Sequence, residues 1–295
     1  MNLYILDERD VWHAALAEAA HEIGLDAVRI RRGREVKTGG LGFIRPHATP
    51  AVLHRNKNED DSHMRSRLTM IQDAQQVRLY EDKTAQLQAF GDWMPRTQLL
   101  SAPIIGHWTG AFPVVSKANE GASSVNVRII RTREELLAHI DQAFGPGIPV
   151  QYCDSRGTTG LQKGYVYLQE FIPHDITYRV NIIGSGRAIF KRYCYPDKPV
   201  AQTGNVDAVH ELDPLMESLL EYADRFAAFA GTKWCALDIL RHGDEWKLLE
   251  TSLAWPWPPT RADLASAPIF RTKYRWGDLF KCLMGEVLRG EWGDF

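Results

Sequence analysis

"WCALDILRHGDEWKLLETS", residues 234–252, sets one acid inside each of two apolar runs, on either side of a turn rich in Gly and Asp. The flanking runs read as strands and "RHGDE" as the turn of an antiparallel hairpin. Alternation along each strand then places Asp238 and Glu250 on one face. Two carboxylates on one face repel each other and lose hydration, a cost that a cation or a shared proton offsets. Sparse, hard oxygen ligands suit Mg²⁺, which keeps several waters and takes its remaining ligands from a substrate's phosphates. An exposed face of a one-sided sheet accounts for the pair equally well, so the decision rests on the rest of the chain.

The 295 residues are 44% hydrophobic and 24% charged, an ordinary globular balance without the depletion that marks disorder. This length suggests two or three compact units. A formal net charge of -2 gives no global electrostatic case for nucleic acid. The local basic clusters "RIRRGR" (29–34) and "IFKRY" (189–193) are the candidates for phosphate contact, the first more simply a solvated turn. Cys153, Cys194, Cys235 and Cys282 are scattered and form no CxxC pair, as expected in a reducing compartment. No run approaches eighteen apolar residues, and "MNLYILDERD" lacks the basic flank and long apolar stretch of a signal peptide. The expectation is a soluble cytoplasmic protein without a membrane partner.

The N-terminus reads as strand ("NLYIL"), helix (Asp10 to about Ile23, stopped by Gly24) and strand ("DAVRI"). "PAVLHRN" continues as a strand, "SHMRSRLTMIQDAQ" as a helix, and "VRLYED" as a strand leading into a helix from Asp82 to Gly91. This alternation predicts a parallel sheet in the first eighty residues. "AFPVVSKANEGASSVNVRIIRT" reads as strand, small-residue loop and returning strand. Thr132 and Glu135 form a capping box for a helix that ends at Gly145. "QYCDSRGTTGLQKG" is polar and mobile in character. "YVYLQEFI", the hairpin "YRVNIIGSGRAIFKRY" and a helix from Pro214, capped by Asp213 and closed by Gly231, precede the two acid-bearing strands.

Lys117 closes an apolar strand directly before "ANEGASS", so backbone N–H groups and one ammonium meet at a small-residue loop, a recipe for phosphate contact. A surface hairpin is the commoner use of such a segment, and no GxxxxGK[ST] is present. In "YVYLQEFI" the backbone of Gln169 and Glu170 can meet an adenine edge while Phe171 and Ile172 pack on the ring. "GSGRA" lacks the third glycine and the following helix of a dinucleotide loop. No nucleophile-elbow or HExxH pattern occurs.

In this order the motifs resemble the ATP-grasp superfamily, nearest to its glutathione-synthetase and RimK-like carboxylate–amine ligases, over roughly residues 80–258. The family's entry segment "DKxxxLxxxxxxxPxT" is matched by "DKTAQLQAFGDWMPRT", which includes Lys83. "PVVxKPxxGSxGxGV" is matched by "PVVSKANEGASSVNV", which makes Lys117 the phosphate lysine and Gly121, Ala122, Ser123 and Ser124 the covering loop. "QEFI" is present verbatim, implying that Gln169, Glu170, Phe171 and Ile172 hold adenine, with Asp175 as ribose contact. In "YRVNIIG" Arg179 is kept and Tyr178 is read where Asp is usual; Arg192, on the return strand, is implied to face phosphate. "GxDxxxxxxxxxxxxEVN" is matched by "ALDILRHGDEWKLLETS", implying Asp238, Glu250 and Ser252 as metal ligands. Ser252 stands in place of asparagine and is a weaker, shorter-reaching donor, which puts a second metal position in question.

The resemblance implies an α/β chain of the α+β ATP-grasp type. A parallel-sheet domain (1–80) would precede a small subdomain with the phosphate loop (81–168) and a large subdomain with hinge strand and metal site (169–295), clasping ATP between them. It implies a magnesium-dependent, ADP-forming ligase with ATP and Mg²⁺ (or Mn²⁺) as cofactors and Lys117, Arg179 and Arg192 as catalytic cations. Its partners would be a carboxylate and an amine acceptor, the latter a small molecule, peptide, protein or modified nucleobase; a homodimer is a further option. A kinase that stops at phosphoryl transfer and a degenerate nucleotide-binding module are the competing readings. Arg45 and Arg55 are candidate substrate-carboxylate contacts, and Trp255 and Trp257 either core or acceptor-pocket residues.

Overall fold

The computed structural model describes residues 1–7, 12–37, 39–45, 59–80, 82–103, 108–119, 126–151, 159–195, 198–253, 255 and 261–288, with backbone alone at 7, 45, 195, 198–204 and 288. Strand and helix alternate as expected at the N-terminus: β1 (Asn2–Asp7), α1 (His13–His21), β2 (Asp26–Ile30), β3 (Gly40–Arg45), the helical segment α2 (residues 59–65) and β4 (Thr69–Met70). The strands form a parallel sheet in the order β2-β1-β3-β4. "PAVLHRN" lies outside the described residues.

Two expectations are corrected here. The helix predicted over residues 62–75 is broken by β4, and Val77–Leu79 of the strand predicted at "VRLYED" belong to α3 (Ala74–Leu79). Asp73 caps that helix by accepting from the Gln76 backbone N–H at 2.7 Å, and the cap outweighs the strand-like Val-Arg-Leu-Tyr composition. Gln72, just before it, bonds the Ile44 N–H and C=O at 3.2 and 2.9 Å. Its amide thereby extends the parallel sheet past the end of β4.

A second sheet, antiparallel, has the order β5-β10-β6-β7, from β5 (Thr97–Leu100), β6 (Val114–Lys117), β7 (Val127–Ile130) and β10 (Val166–Glu170). Helix α5 (Arg133–Phe144) covers one face, burying Leu136, Ile140 and Ala143 against Val114, Val166 and Leu168. Thr132 caps α5 as predicted, accepting from Glu135 N at 3.2 Å, while Glu135 reaches back to the Arg131 N–H at 2.7 Å. The segment read as polar and mobile (151–164) contains a strand, β9 (Thr159–Gln162), which pairs with β8 (Ile148–Gln151) just before it; Cys153 and residues 152–158 lie outside the described residues. Side-chain amides tie this hairpin to the neighbouring sheet. Asn126 bonds both backbone groups of Gln151 at 2.8 Å, and Gln162 accepts from Asn119 N at 2.9 Å.

The third sheet runs β13-β12-β11-β14-β15, from β11 (Ile176–Ile183), β12 (Gly186–Tyr195), β13 (Lys198–Ala208), β14 (Trp234–His242) and β15 (Glu245–Ser252). Helix α6 (Pro214–Ala230) packs Leu219, Ala223 and Phe226 on Val180, Ile182, Leu237 and Leu248. On the opposite face Ala188, Phe190, Trp234 and Ala236 join the core of the N-terminal sheet and of α7 (Leu279–Leu288). Edge-to-face contacts of Trp234 with Phe43 and with Trp12, at 5.4 and 6.3 Å, stitch that junction. Among the described residues no helix is long and apolar enough to cross a membrane.

Helix α4 (Lys83–Phe90), capped by Asp82, crosses to the edge strand β15. There Gln86, 1% exposed, accepts from the Thr251 N–H at 2.9 Å and donates to the Thr251 and Leu79 carbonyls at 3.1 and 3.0 Å. Replacing Gln86 with Met keeps the volume but orphans buried backbone groups. We expect Gln86→Met to lose roughly 2–3 kcal/mol in urea unfolding; wild-type stability would show that these bonds contribute nothing net.

Candidate active site

Alternation on three neighbouring strands decides which side chains meet. Along β11 the even residues Tyr178, Val180 and Ile182 enter the α6 core, so Thr177, Arg179 and Asn181 face the other way. Register then pairs Arg179 with Asp238, and Asp238 with Glu250, in one transverse row over β11, β14 and β15. The shared face predicted for the two acids is thus what the hairpin forms. A register shift after Asp238 bulges Leu249 out of the ladder, and the Leu249 carbonyl accepts from Lys117 Nζ at 3.4 Å.

Asp238 is 5% exposed. Burial alone pushes its carboxyl upward, but Arg179 and Arg192 outweigh that and hold it below the usual carboxylate range. Arg192 Nη1 lies 2.7 Å from Oδ2, and Arg179 Nη1 3.5 Å from Oδ1. Arg192 is held firmly charged by the same carboxylate, against the opposing effect of its own burial.

Two lysines close on this row from outside the third sheet. Lys83, at the start of α4, brings Nζ to 3.8 Å from Glu250 Oε2. Lys117, at the end of β6, is brought down to about 8 by burial, an effect opposed by Glu250 and Asp238 and reinforced by Lys83. The four cations Lys83, Lys117, Arg179 and Arg192 exceed the two carboxylates by two charges.

On the second sheet, Gln169 and Tyr167 share the face of β10 that pairs with Val115 and Lys117. Gln169 is 1% exposed and donates to Thr97 Oγ1 at 3.0 Å; Glu170 N–H donates to the Arg96 carbonyl at 2.8 Å. Ile172 is buried, Phe171 half-buried and Asp175 exposed, all on the segment leading into β11. Gly121, Ala122, Ser123 and Ser124 lie outside the described residues, as do Arg55, Trp257 and the side chain of Arg45. The strands flanking that loop are β6 and β7, and the β8–β9 hairpin bonds Asn119 on one side of it and Asn126 on the other.

Three readings change. Tyr178 does not occupy the site: it packs edge-to-face on Trp246 at 5.3 Å, and the residue two before Arg179 on its own face is Thr177. Trp255 is core, 3% exposed and stacked on Trp234 at 3.9 Å. Asn181, missed in the sequence, is fully buried with neither amide atom partnered among the described residues. It shares a transverse row with Ala236 and the half-buried Ser252, and counting in twos from Arg179 would have found it.

Among the described residues no group of three or more His, Cys, Asp or Glu gathers to hold a metal alone. The paired carboxylates Asp238 and Glu250 still fit a hard divalent ion, because their donors are all oxygen and Asp238 is ionised. Two protein carboxylates leave most positions to water and phosphate, as magnesium in nucleotide sites prefers.

No family model and no curated protein matches the chain. Solved structures do. A RimK-domain ATP-grasp protein from Sphaerobacter thermophilus aligns at TM-score 0.57 and 19% identity over 98% of this chain and 100% of that one. The D-alanine–D-alanine ligase of Bacillus anthracis, solved with ATP, aligns at TM-score 0.57 and 12% identity over 99% and 98%. The ATP-grasp ligase PsnB, solved with a precursor peptide and AMPPNP, aligns at TM-score 0.61 and 13% identity over 98% of each chain; it is also known with Mg and ADP. Together with the strand orders and the charged row between the sheets, these alignments over nearly the whole chain show that it has the ATP-grasp fold.

Proposed function

We infer that this protein is an ATP-dependent carboxylate–amine ligase. The observation that carries the reading is the row Arg179–Asp238–Glu250, joined by Arg192 and faced by Lys83 and Lys117 from outside its sheet, with two positive charges in excess. MgATP carries a net charge near minus two at neutral pH, so it balances this site as a whole. The ATP, magnesium and peptide ligands of the structural neighbours support the same direction.

In the proposed reaction a substrate carboxylate oxygen attacks the γ-phosphorus, the bond to the β-bridging oxygen breaks, and ADP leaves. The resulting acylphosphate is attacked at its carbonyl carbon by an amine, releasing phosphate and one proton as the amide forms. Asp238 and Glu250, with Ser252 on the adjacent row, would hold Mg²⁺, which when bound would neutralise phosphate charge. Lys117 and Lys83 take the α- and β-phosphates, while Arg179 and Arg192 face the charge that shifts during transfer. Gln169 to Ile172 form the adenine side and Asp175 the ribose side. The carboxylate substrate enters between the N-terminal domain (1–80) and the metal row, and the subdomains 81–168 and 169–295 close on ATP.

Deleting one of these charges should be felt in turnover rather than folding where the side chain is partly solvated, as at Glu250. Glu250→Gln is expected to lower substrate-stimulated ADP formation by about 100-fold or more, with the far-UV spectrum unchanged; parental rates in this variant and in Lys117→Ala would remove the assignment.

Lys117 gives a pH signature. With its amine near 8 in the free protein, the arriving polyphosphate raises that value, so above pH 8 the complex holds more protons than the free protein. ATP affinity must then fall as pH rises through about 8, with proton uptake on binding. Calorimetry at pH 8.5 in buffers of different ionisation enthalpy measures it. Lys117→Arg should abolish the uptake, and no uptake in the parent would contradict the role.

A further inference from the structure

A helix begins with backbone N–H groups that its own turns cannot satisfy, and in α4 each of them is met by protein. Asp82 N–H donates to the Leu79 carbonyl at 3.1 Å and Ala85 N–H to the Asp82 carboxylate at 2.9 Å. Those two bonds are local. The other two end on Asn119, from another sheet: Lys83 N–H donates to its carbonyl at 3.3 Å and Thr84 N–H to its Oδ1 at 2.8 Å. No donor of this turn is left for a phosphate, so what the end of α4 presents to the charged row is the Lys83 side chain.

Asn119 lies just past the end of β6, the strand that carries Lys117. Its own N–H donates to Gln162 Oε1 at 2.9 Å, and the Ala118 N–H before it donates to the Asn126 carbonyl at 3.1 Å. The residue that caps α4 is therefore itself held by β9. The same turn of α4 is held by the third sheet through Gln86 and Thr251. Lys83 thus stands between two anchors, one on each sheet.

That placement has work to do. Lys83 Nζ lies 3.8 Å from Glu250 Oε2, and Lys117 Nζ lies 3.4 Å from the adjacent Leu249 carbonyl. The two ammonium groups repel each other, and a flexible lysine stem relieves such repulsion by swinging away unless its backbone is fixed. Holding the first turn of α4 on the end of β6 sets the distance between the two stems at their roots.

We propose that Asn119 is a positioning residue for the polyphosphate: by capping α4 from the end of β6 it fixes Lys83 relative to Lys117, so that the two ammonium groups meet neighbouring phosphates together. The role rests on the ligase reading of the charged row and adds to it a residue that acts through Lys83. In that reading adenine is held elsewhere, along Gln169 to Ile172, so the effect of Asn119 is confined to the phosphate end of the nucleotide.

Magnesium-loaded AMPPNP and adenosine are the probes, titrated into the whole chain by calorimetry and by ligand-observed NMR. Asn119→Ala and, with the side-chain shape kept, Asn119→Leu are expected to bind AMPPNP about 10-fold more weakly, the size of one misplaced charge-assisted contact, and to bind adenosine as the parent does. In a Lys83→Met background, itself weaker for AMPPNP, neither substitution should weaken binding further, because the two residues act as one unit. Amide exchange at Thr84, faster in both variants, reports the lost cap without any nucleotide. Parental AMPPNP affinity, an equal loss for adenosine, a full further loss on top of Lys83→Met, or unchanged Thr84 exchange would each overturn the proposal. Failure of the parent protein to bind AMPPNP would overturn the ligase reading and this role with it, an outcome visible before any variant is made, so the two failures are told apart.

Discussion

A carboxylate that is 5% exposed and yet ionised sets the terms for the rest of this structure. Asp238 keeps its charge because β11 and β12 each place one guanidinium against it, at 3.5 and 2.7 Å. Burying three charges is expensive, several kcal/mol per ion, and a buried ion pair often contributes no net stability over apolar replacements. The cluster therefore reads as a device whose value lies in what it binds. Its geometry depends on the registers of β12, β11, β14 and β15, and those registers are locked from below by the apolar face that α6 covers. A slip of one residue in any of the strands would send its charge into the α6 core.

Side-chain amides do much of the remaining positioning. Gln72 bonds both backbone groups of Ile44, Asn126 both of Gln151, and Gln86 both of Thr251. Each behaves as one residue of an added strand, satisfying an edge that would otherwise be open to solvent or to another chain. For the site, Gln86 matters most. It lies three residues after Lys83 on α4, hence on the same side of the helix, and it grips Thr251 between Glu250 and Ser252. One helical turn thus fixes where the lysine stands relative to the acid. Asn126 and Gln162 do the corresponding work on either side of the loop that follows Lys117.

How much of this could be read from the sequence follows from the range of the forces involved. The acid hairpin, the α5 capping box and the Pro214 helix were legible because each is specified by contiguous residues: alternation, a cap, a glycine at φ +60° at Gly231. The same alternation, applied from Arg179, would have placed Thr177 rather than Tyr178 on the site side. β8, β9 and the long edge strand β13 were missed although their partners are near in sequence, because β8 is only four residues with a proline and β9 and β13 are largely polar and glycine-containing. The Asp73 cap was visible in "DAQQ" but was outvoted by the strand-like residues after it. Gln86 looks like any polar residue of an exposed helix face; only the docking of α4 on β15 reveals its role.

The row beside the acids bears on how the proposed site balances charge. In the motif that this chain resembles, an asparagine oxygen stands at position 252, where this chain has a hydroxyl. The buried amide of Asn181 lies on the same transverse row but two strands away, across Ala236. Two strand spacings are about 10 Å, farther than an asparagine side chain reaches, so Asn181 does not replace the missing oxygen. A metal held by Asp238 and Glu250 would then lean more on water and phosphate, and phosphate charge would be countered more by fixed cations. In the proposed site the four cations around two carboxylates would supply that counter-charge, from strands and one helix rather than from loops.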